Sequence, residues 1–106
     1  MGAMASTPPR LSDDELQKGL AELSDWSVRD GKLQRSYRFA DFGSAMAFMV
    51  RVAFEAERLD HHPNWSNVYD RVEVTLWTHD ADGLTERDLA LAEAMETHAG
   101  AASSSS

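Results

Sequence analysis

The sequence predicts a single α+β domain with the element order α-β-β-α-β-β-α, in which three helices pack on one face of a four-stranded antiparallel sheet. Three observations lead to this prediction. Helix-capping residues open three segments, short runs of alternating apolar and polar residues lie between them, and Asp-Gly pairs mark turns. A chain of 106 residues has the length of one such domain.

Each predicted helix begins at a recognisable cap. Ser12 and Glu15 form an S-x-x-E capping box in front of leucines at helical spacing, which predicts the first helix. Asp41 can cap a second helix that continues to about Leu59. Residues 85–88 can cap the third helix in the same way as the first.

The strands are predicted from alternation and from turn residues. Asp30 and Gly31 separate two alternating runs, and this pair favours a two-residue hairpin turn. Pro63 disfavours helical backbone in the residue before it, so the second helix should end near Asp60 and two further strands should follow. The four predicted strands are residues 26–29, 32–39, 65–69 and 71–78.

The two ends of the chain differ in composition from the rest. Residues 1–10 are small, polar and proline-containing, and their start resembles an expression-vector remnant, so we expect a disordered segment there. Residues 100–106 are also small and polar, which predicts a flexible tail. The folded domain is then predicted to span residues 11–99.

Composition and charge exclude several kinds of function. A net charge of −8 argues against direct binding to nucleic acid or to an anionic membrane surface. The absence of cysteine excludes disulfides, thiolate metal sites and cysteine nucleophiles. No apolar run is long enough to span a bilayer, and we read no signal peptide, so we expect a cytoplasmic protein.

The second predicted helix is apolar around most of its circumference. Its apolar side chains cover an arc of roughly 240°, whereas an ordinary surface helix needs a stripe little wider than about 100°. This arc predicts that the helix packs on the sheet and also on another subunit, in a homodimer or homotetramer. A single, deeply buried helix would explain the same pattern.

Three histidines lie where the chain is predicted to change direction. His61 and His62 occupy the corner between the second helix and the third strand, and His79 ends the fourth strand. Imidazole has an unperturbed pKa of about 6.5 and can act as an acid or a base near neutrality. The alternatives are surface histidines in loops and a three-histidine zinc site. Adjacent residues in an extended segment point to opposite sides, which makes His61 and His62 awkward ligands for one ion.

Three carboxylates lie close to these histidines in the sequence. Glu57 falls inside the apolar arc of the second helix, where a carboxylate needs a partner unless it is exposed at an edge. Asp60 can hold the helix end, and Asp88 is the third residue of the predicted third helix, which favours a capping interaction.

These residues together resemble a known family. The stretch Glu57-x3-His61-His62-Pro63-x5-Tyr69-x9-His79-x8-Asp88 is similar to the signature of the pterin-4a-carbinolamine dehydratases. The similarity covers roughly residues 11–95, with no departure at a motif position. It implies three helices on one side of a four-stranded antiparallel sheet, and dimers that extend this sheet. In some family members, dimers also pair through the long second helix.

The resemblance implies a dehydration reaction on a pterin. The family's substrate is the 4a-hydroxytetrahydropterin left by aromatic amino acid hydroxylases. Loss of the 4a-hydroxyl as water gives the quinonoid dihydropterin, which a reductase recycles. One proton must reach the departing hydroxyl and another must leave N5, which is general acid–base catalysis without a metal or other cofactor.

The resemblance also implies roles for individual residues. His61 and His79 would transfer protons, and His62 would chiefly bind and orient the pterin. Glu57 or Asp60 would hydrogen-bond an imidazole and fix its tautomer. The implied substrate-binding residues are His61, His62, Pro63, Thr78, His79, Asp80 and Ala81, and the implied supporting residues are Glu57, Asp60, Asp88 and Trp26, the last lining the pocket.

Two other functions fit the same sequence. A vertebrate branch of the family also serves as a dimerisation cofactor for a homeodomain transcription factor, and that role uses helix surfaces rather than histidines. A metal-dependent hydrolase would use the three histidines as ligands.

Overall fold

The computed structural model describes residues 7–103 and confirms the predicted class and element order. Within this part of the chain, a short 3-10 turn at His79–Ala81 lies between the last strand and the last helix. The elements are α1 (Asp13–Leu20), β1 (Ser27–Arg29), β2 (Lys32–Arg38), α2 (Phe42–Leu59), β3 (Asn64–Val68), β4 (Arg71–Leu76) and α3 (Glu86–Ser103).

The predicted helix caps are confirmed. The Ser12 hydroxyl accepts from the Glu15 N–H and the Glu15 carboxylate accepts from the Ser12 N–H, which completes a capping box at α1. The Asp41 carboxylate accepts the N–H of Ser44 at 2.7 Å and caps α2.

The four strands form one antiparallel sheet in the order β1-β2-β4-β3. The first two strands form a hairpin whose turn residues, Asp30 and Gly31, both have positive φ values, as a two-residue turn of this kind requires. The central pairing joins β2 to β4 and places Leu33 opposite Leu76. The strands β1 and β3 are therefore the two edges of the sheet.

One hydrophobic core lies between the sheet and the helices. Alternate residues of β2 and β4 face it, and one side of α2 and one side of α3 cover it. Its largest apolar side chains include Leu33, Tyr37, Val72, Val74 and Leu76 of the sheet and Phe48, Val52, Leu91 and Met95 of the helices.

The helix α2 buries only one side of its apolar arc. Val50 is 55% exposed and Phe54 is 72% exposed, so the alternative of a deeply buried helix is wrong. No helix within residues 7–103 is long and apolar enough to cross a membrane.

A polar cluster fastens α3 to the sheet. The Glu96 carboxylate accepts hydrogen bonds from Trp26 Nε1 at 2.9 Å, from Arg35 at 2.6 Å and from the Tyr37 hydroxyl. Burial, together with the bond to Glu96, raises the pKa of Tyr37. The indole of Trp26 is buried within this cluster.

The chain ends differ in part from the predicted boundaries. The helix α3 continues to Ser103, beyond the predicted start of a tail at residue 100. Residues 7–10 have no regular structure, and the N–H of Leu11 donates to the carbonyl of Leu84 at 2.8 Å. The rest of the predicted terminal segments, residues 1–6 and 104–106, lie outside the described residues.

Candidate active site

The corner after α2 places two histidines side by side. Asp60 adopts a left-handed conformation with a φ of 52°, and its N–H donates to the carbonyls of the last helical turn. The N–H of His61 donates to the carbonyl of Ala56 at 3.0 Å, which ends the helix. His62 and Pro63 then lead directly into β3.

The segment after β4 forms the opposite side of the site. Thr78 pairs with Gly83 in an isolated antiparallel bridge, and the N–H of Thr78 donates to the carbonyl of Gly83 at 2.9 Å. The 3-10 turn between them carries His79. This closed loop holds the imidazole of His79 at the end of the sheet where the α2 corner lies.

A cavity of about 560 Å³ lies between these two segments. All three predicted histidines line it, so the structure brings together residues that are up to 18 positions apart in the sequence. The lining residues are Thr7, Asp60, His61, His62, Asn64, Trp77, Thr78, His79, Asp80 and Arg87.

His61 is paired with a buried carboxylate. Its Nε2 lies 2.5 Å from Oδ1 of Asp88, which is wholly buried. The other oxygen, Oδ2, accepts from the Thr78 hydroxyl at 2.8 Å and from the Thr85 N–H at 2.9 Å. Hydrogen bonds to the charged form stabilise a buried carboxylate. Because Asp88 can accept at Oδ1, it favours the tautomer of His61 with the proton on Nε2.

His62 and Glu57 form a second histidine–carboxylate pair, which is exposed to solvent rather than buried. Nε2 of His62 lies 3.2 Å from Oε2 of Glu57, and the two side chains are 61% and 77% exposed. An exposed pair of this type contributes little to stability. The imidazole of His62 is therefore held less firmly than that of His61, which is paired with a buried carboxylate.

The comparison with known proteins decides the family. Residues 9–98 match the family Pterin 4 alpha carbinolamine dehydratase. The chain belongs to this family. The resemblance carried by the histidine signature is thereby confirmed.

Relatives in the dehydratase family align over nearly their whole length. A protein of Novosphingobium aromaticivorans named "Putative pterin-4-alpha-carbinolamine dehydratase" is 57% identical over 93 residues, which cover 86% of this chain and 97% of that protein. A protein of the same name from Burkholderia multivorans is 52% identical over 99 residues, covering 89% of this chain and 97% of that protein.

A solved structure supports the dehydratase-family fold. The crystal structure of a transcriptional coactivator/pterin dehydratase from Brucella melitensis is 44% identical in sequence and superposes with a TM-score of 0.82. The match covers 86% of this chain and 99% of that one.

Some residues expected at the dehydratase-family site lie elsewhere or act differently. Trp26 does not line the cavity, because its indole is buried against Glu96. Asp60 lines the cavity and ends α2, as expected, and Asp88 is the carboxylate that contacts His61. Pro63 and Ala81 flank the cavity without lining it.

Four lining residues were not predicted from the sequence: Thr7, Asn64, Trp77 and Arg87. A signal for Trp77 was present, since it shares the strand parity of His79. Asn64 is the first residue of β3 and directly follows the His61-His62-Pro63 corner. For Thr7 the sequence held no signal, because it precedes the first capping residue.

The histidines do not form an evident metal centre. Among residues 7–103, no three His, Cys, Asp or Glu side chains are arranged so that they could hold a metal ion.

Proposed function

We propose that this protein removes water from a 4a-hydroxytetrahydropterin to give a quinonoid dihydropterin, by histidine acid–base catalysis. The observation that carries the proposal is the buried pair of His61 and Asp88 in a cavity that His62 and His79 also line. Family membership supports the reaction, and we place it in tetrahydropterin recycling in the cytoplasm.

The base in this proposal is His61. A proton on Nε2 held by Asp88 leaves Nδ1 as the nitrogen that can accept a proton, here the proton on N5 of the pterin. The negative charge of Asp88 stabilises the imidazolium that forms, as a buried carboxylate does beside a catalytic histidine in other enzymes.

The acid in this proposal is His79, which is exposed on its turn. It donates a proton to the 4a-hydroxyl, the C4a–O bond breaks, and water leaves. The electrons of the N5–H bond form the new N5–C4a double bond, so no redox change occurs. His62 orients the pterin, and general acid–base catalysis of this kind typically contributes about 10² to 10⁴ in rate.

The direct test is a dehydratase assay with freshly generated 4a-hydroxytetrahydropterin. We expect the purified protein to accelerate loss of the 4a-hydroxyl and to keep its full rate after exhaustive chelation, because the proposed steps use imidazoles alone. Stoichiometric zinc, with activity lost on its removal and restored by its return, would support the metal-dependent hydrolase instead. A rate equal to that of buffer would contradict the proposed function.

We also propose that the protein is a homodimer or homotetramer. The apolar face of α2 that contains Val50 and Phe54 is exposed in one chain, and an exposed apolar patch often marks an interaction site. The edge strand β3 offers unpaired backbone groups to a second copy.

Light scattering at low protein concentration tests the assembly. We expect at least a dimer, and we expect Phe54→Glu to reduce the assembled mass if α2 forms a contact. A dimer that Phe54→Glu leaves unchanged would place the contact at the sheet edge, and a monomeric wild type would contradict the assembly. Arg58→Gln, at an exposed position one turn later on α2, changes the net charge by the same one unit and controls for the charge change.

The second candidate function is a protein-binding role. It is favoured by the exposed face of α2 and by the name of the Brucella melitensis protein, which combines coactivator with pterin dehydratase. This role would depend on Phe54 rather than on His61, so variants at these two positions separate the two functions.

A further inference from the structure

Trp77 lies between two depressions on the surface. It follows β4 directly and is half-buried. It lines the histidine cavity and also a second depression of about 360 Å³. His79 is likewise shared, whereas the other residues of the second depression, Asp30, Gly31, Lys32, Asp82 and Gly83, do not line the histidine cavity.

A lysine supports the indole from the second depression. The Nζ atom of Lys32 lies over the ring of Trp77, 4.3 Å from its centroid. A cation at this distance from an indole face is attracted by the negative charge of the ring face. Because Lys32 lines the second depression and not the histidine cavity, the ammonium contacts the indole from the side of the second depression, away from His61 and His62.

Trp77 also differs in chemistry from the rest of the cavity. The other described lining residues are threonine, asparagine, aspartate, arginine and histidine, all of which offer polar groups. Trp77 is the one described lining residue with a large apolar surface. A flat heteroaromatic ligand needs such a surface, because its faces gain little from hydrogen bonds.

We propose that Trp77 packs against a face of the pterin ring system, which is flat around its conjugated amide although C4a of the substrate is tetrahedral, and that Lys32 is a positioning residue that holds the indole. The inference rests on the proposed function for the identity of the ligand. In this proposal Trp77 contacts a face of the ring, and the histidines transfer the protons. Removing the indole should therefore weaken binding and leave the chemical step intact.

The experiment compares Trp77→Ser and Trp77→Phe with the wild type. The probe is 6-methyl-7,8-dihydropterin, which has no 4a-hydroxyl to lose, and its Kd is measured by calorimetry. We expect Trp77→Ser to raise Kd and KM about tenfold, which corresponds to ~1.4 kcal/mol, with kcat within about twofold of the wild type. Trp77→Phe keeps an aromatic face and should raise Kd by no more than about threefold.

Two further variants separate binding from structure. Trp65→Phe changes a tryptophan that packs on the core and does not line the cavity, and it should leave Kd and KM unchanged. Lys32→Met removes the cation but keeps the aliphatic stem, and should raise Kd a few-fold. Lys32→Arg keeps a cation over the ring and should raise Kd less than Lys32→Met does.

The outcomes distinguish this inference from the proposed function. If Trp77→Ser binds the probe as tightly as the wild type, or if the folded wild type binds no probe, the ring-binding assignment is wrong. If the wild type binds the probe through Trp77 but shows no dehydration, the ring-binding assignment stands and the proposed reaction fails.

Discussion

Replacing His61 by glutamine is expected to lower kcat for dehydration by about 10² to 10⁴, the usual contribution of general acid–base catalysis. Glutamine can still donate a hydrogen bond to the buried Asp88, so the carboxylate keeps a partner, but an amide cannot accept a proton near neutral pH. Single-turnover measurement of 4a-hydroxyl loss, compared with the wild type, gives the change in the chemical step directly.

His79→Ala provides the second half of this test. Since His79 is the proposed acid, its removal should slow dehydration strongly. The thermal unfolding temperature should change little, because the side chain is exposed. The double variant should be slower than either single variant. Wild-type turnover in both single variants, with unchanged folds by circular dichroism, would show that these imidazoles do not transfer the protons.

Replacing Asp88 by asparagine is expected to lower kcat by a similar or larger factor without removing any heavy atom from the site. The asparagine oxygen must face the Thr78 hydroxyl and the Thr85 N–H, which both donate to the present carboxylate. The amide NH₂ then faces Nε2 of His61, which must accept and therefore carries its proton on Nδ1. The base nitrogen is blocked, and in a Ser-His-Asp triad the same change costs about 10⁴ in kcat.

Asp41→Asn is the matched control for this variant. It makes the same chemical change at another helix cap, where asparagine serves as well as aspartate, and it lies outside the cavity. We expect its kcat to equal that of the wild type. If Asp88→Asn also kept the wild-type rate, the tautomer of His61 would have no part in catalysis and Asp88 would be only a helix cap.

The most accurate predictions from the sequence were the helix caps and the hairpin turn, which depend on residues close together in the chain. The capping box at Ser12, the cap at Asp41 and the turn at Asp30 involve residues at most a few positions apart, so local chemistry decides them. The strand ends were less accurate. Tyr69, expected to end the third strand, has a positive φ and lies in the turn between β3 and β4.

The sequence failed where distant segments meet. Glu57 or Asp60 was expected to hydrogen-bond an imidazole, and Glu57 does lie within reach of His62. The sequence did not indicate that Asp88, 27 positions from His61, would be the carboxylate that contacts His61. The capping contact of Asp88 is present, since Oδ2 accepts the Thr85 N–H, and Oδ1 contacts His61; its supporting role in catalysis stays a prediction. Trp26 was expected at the pocket. Because Ser27 pairs with Gln34, Trp26 lies beside Arg35, where its indole donates to Glu96 of α3 and does not reach the histidines.

The path of the N-terminal segment has a practical consequence for labelling the protein. Thr7 lines the cavity, and the bond from Leu11 to Leu84 fastens the chain beside the start of α3. A bulky group attached to Thr7 would therefore stand at the cavity and reduce the space in it. The opposite end of α3 at Ser103 lies 17 residues along the helix from Glu86, roughly 25 Å from the end beside the cavity at 1.5 Å per residue, and is the better attachment point.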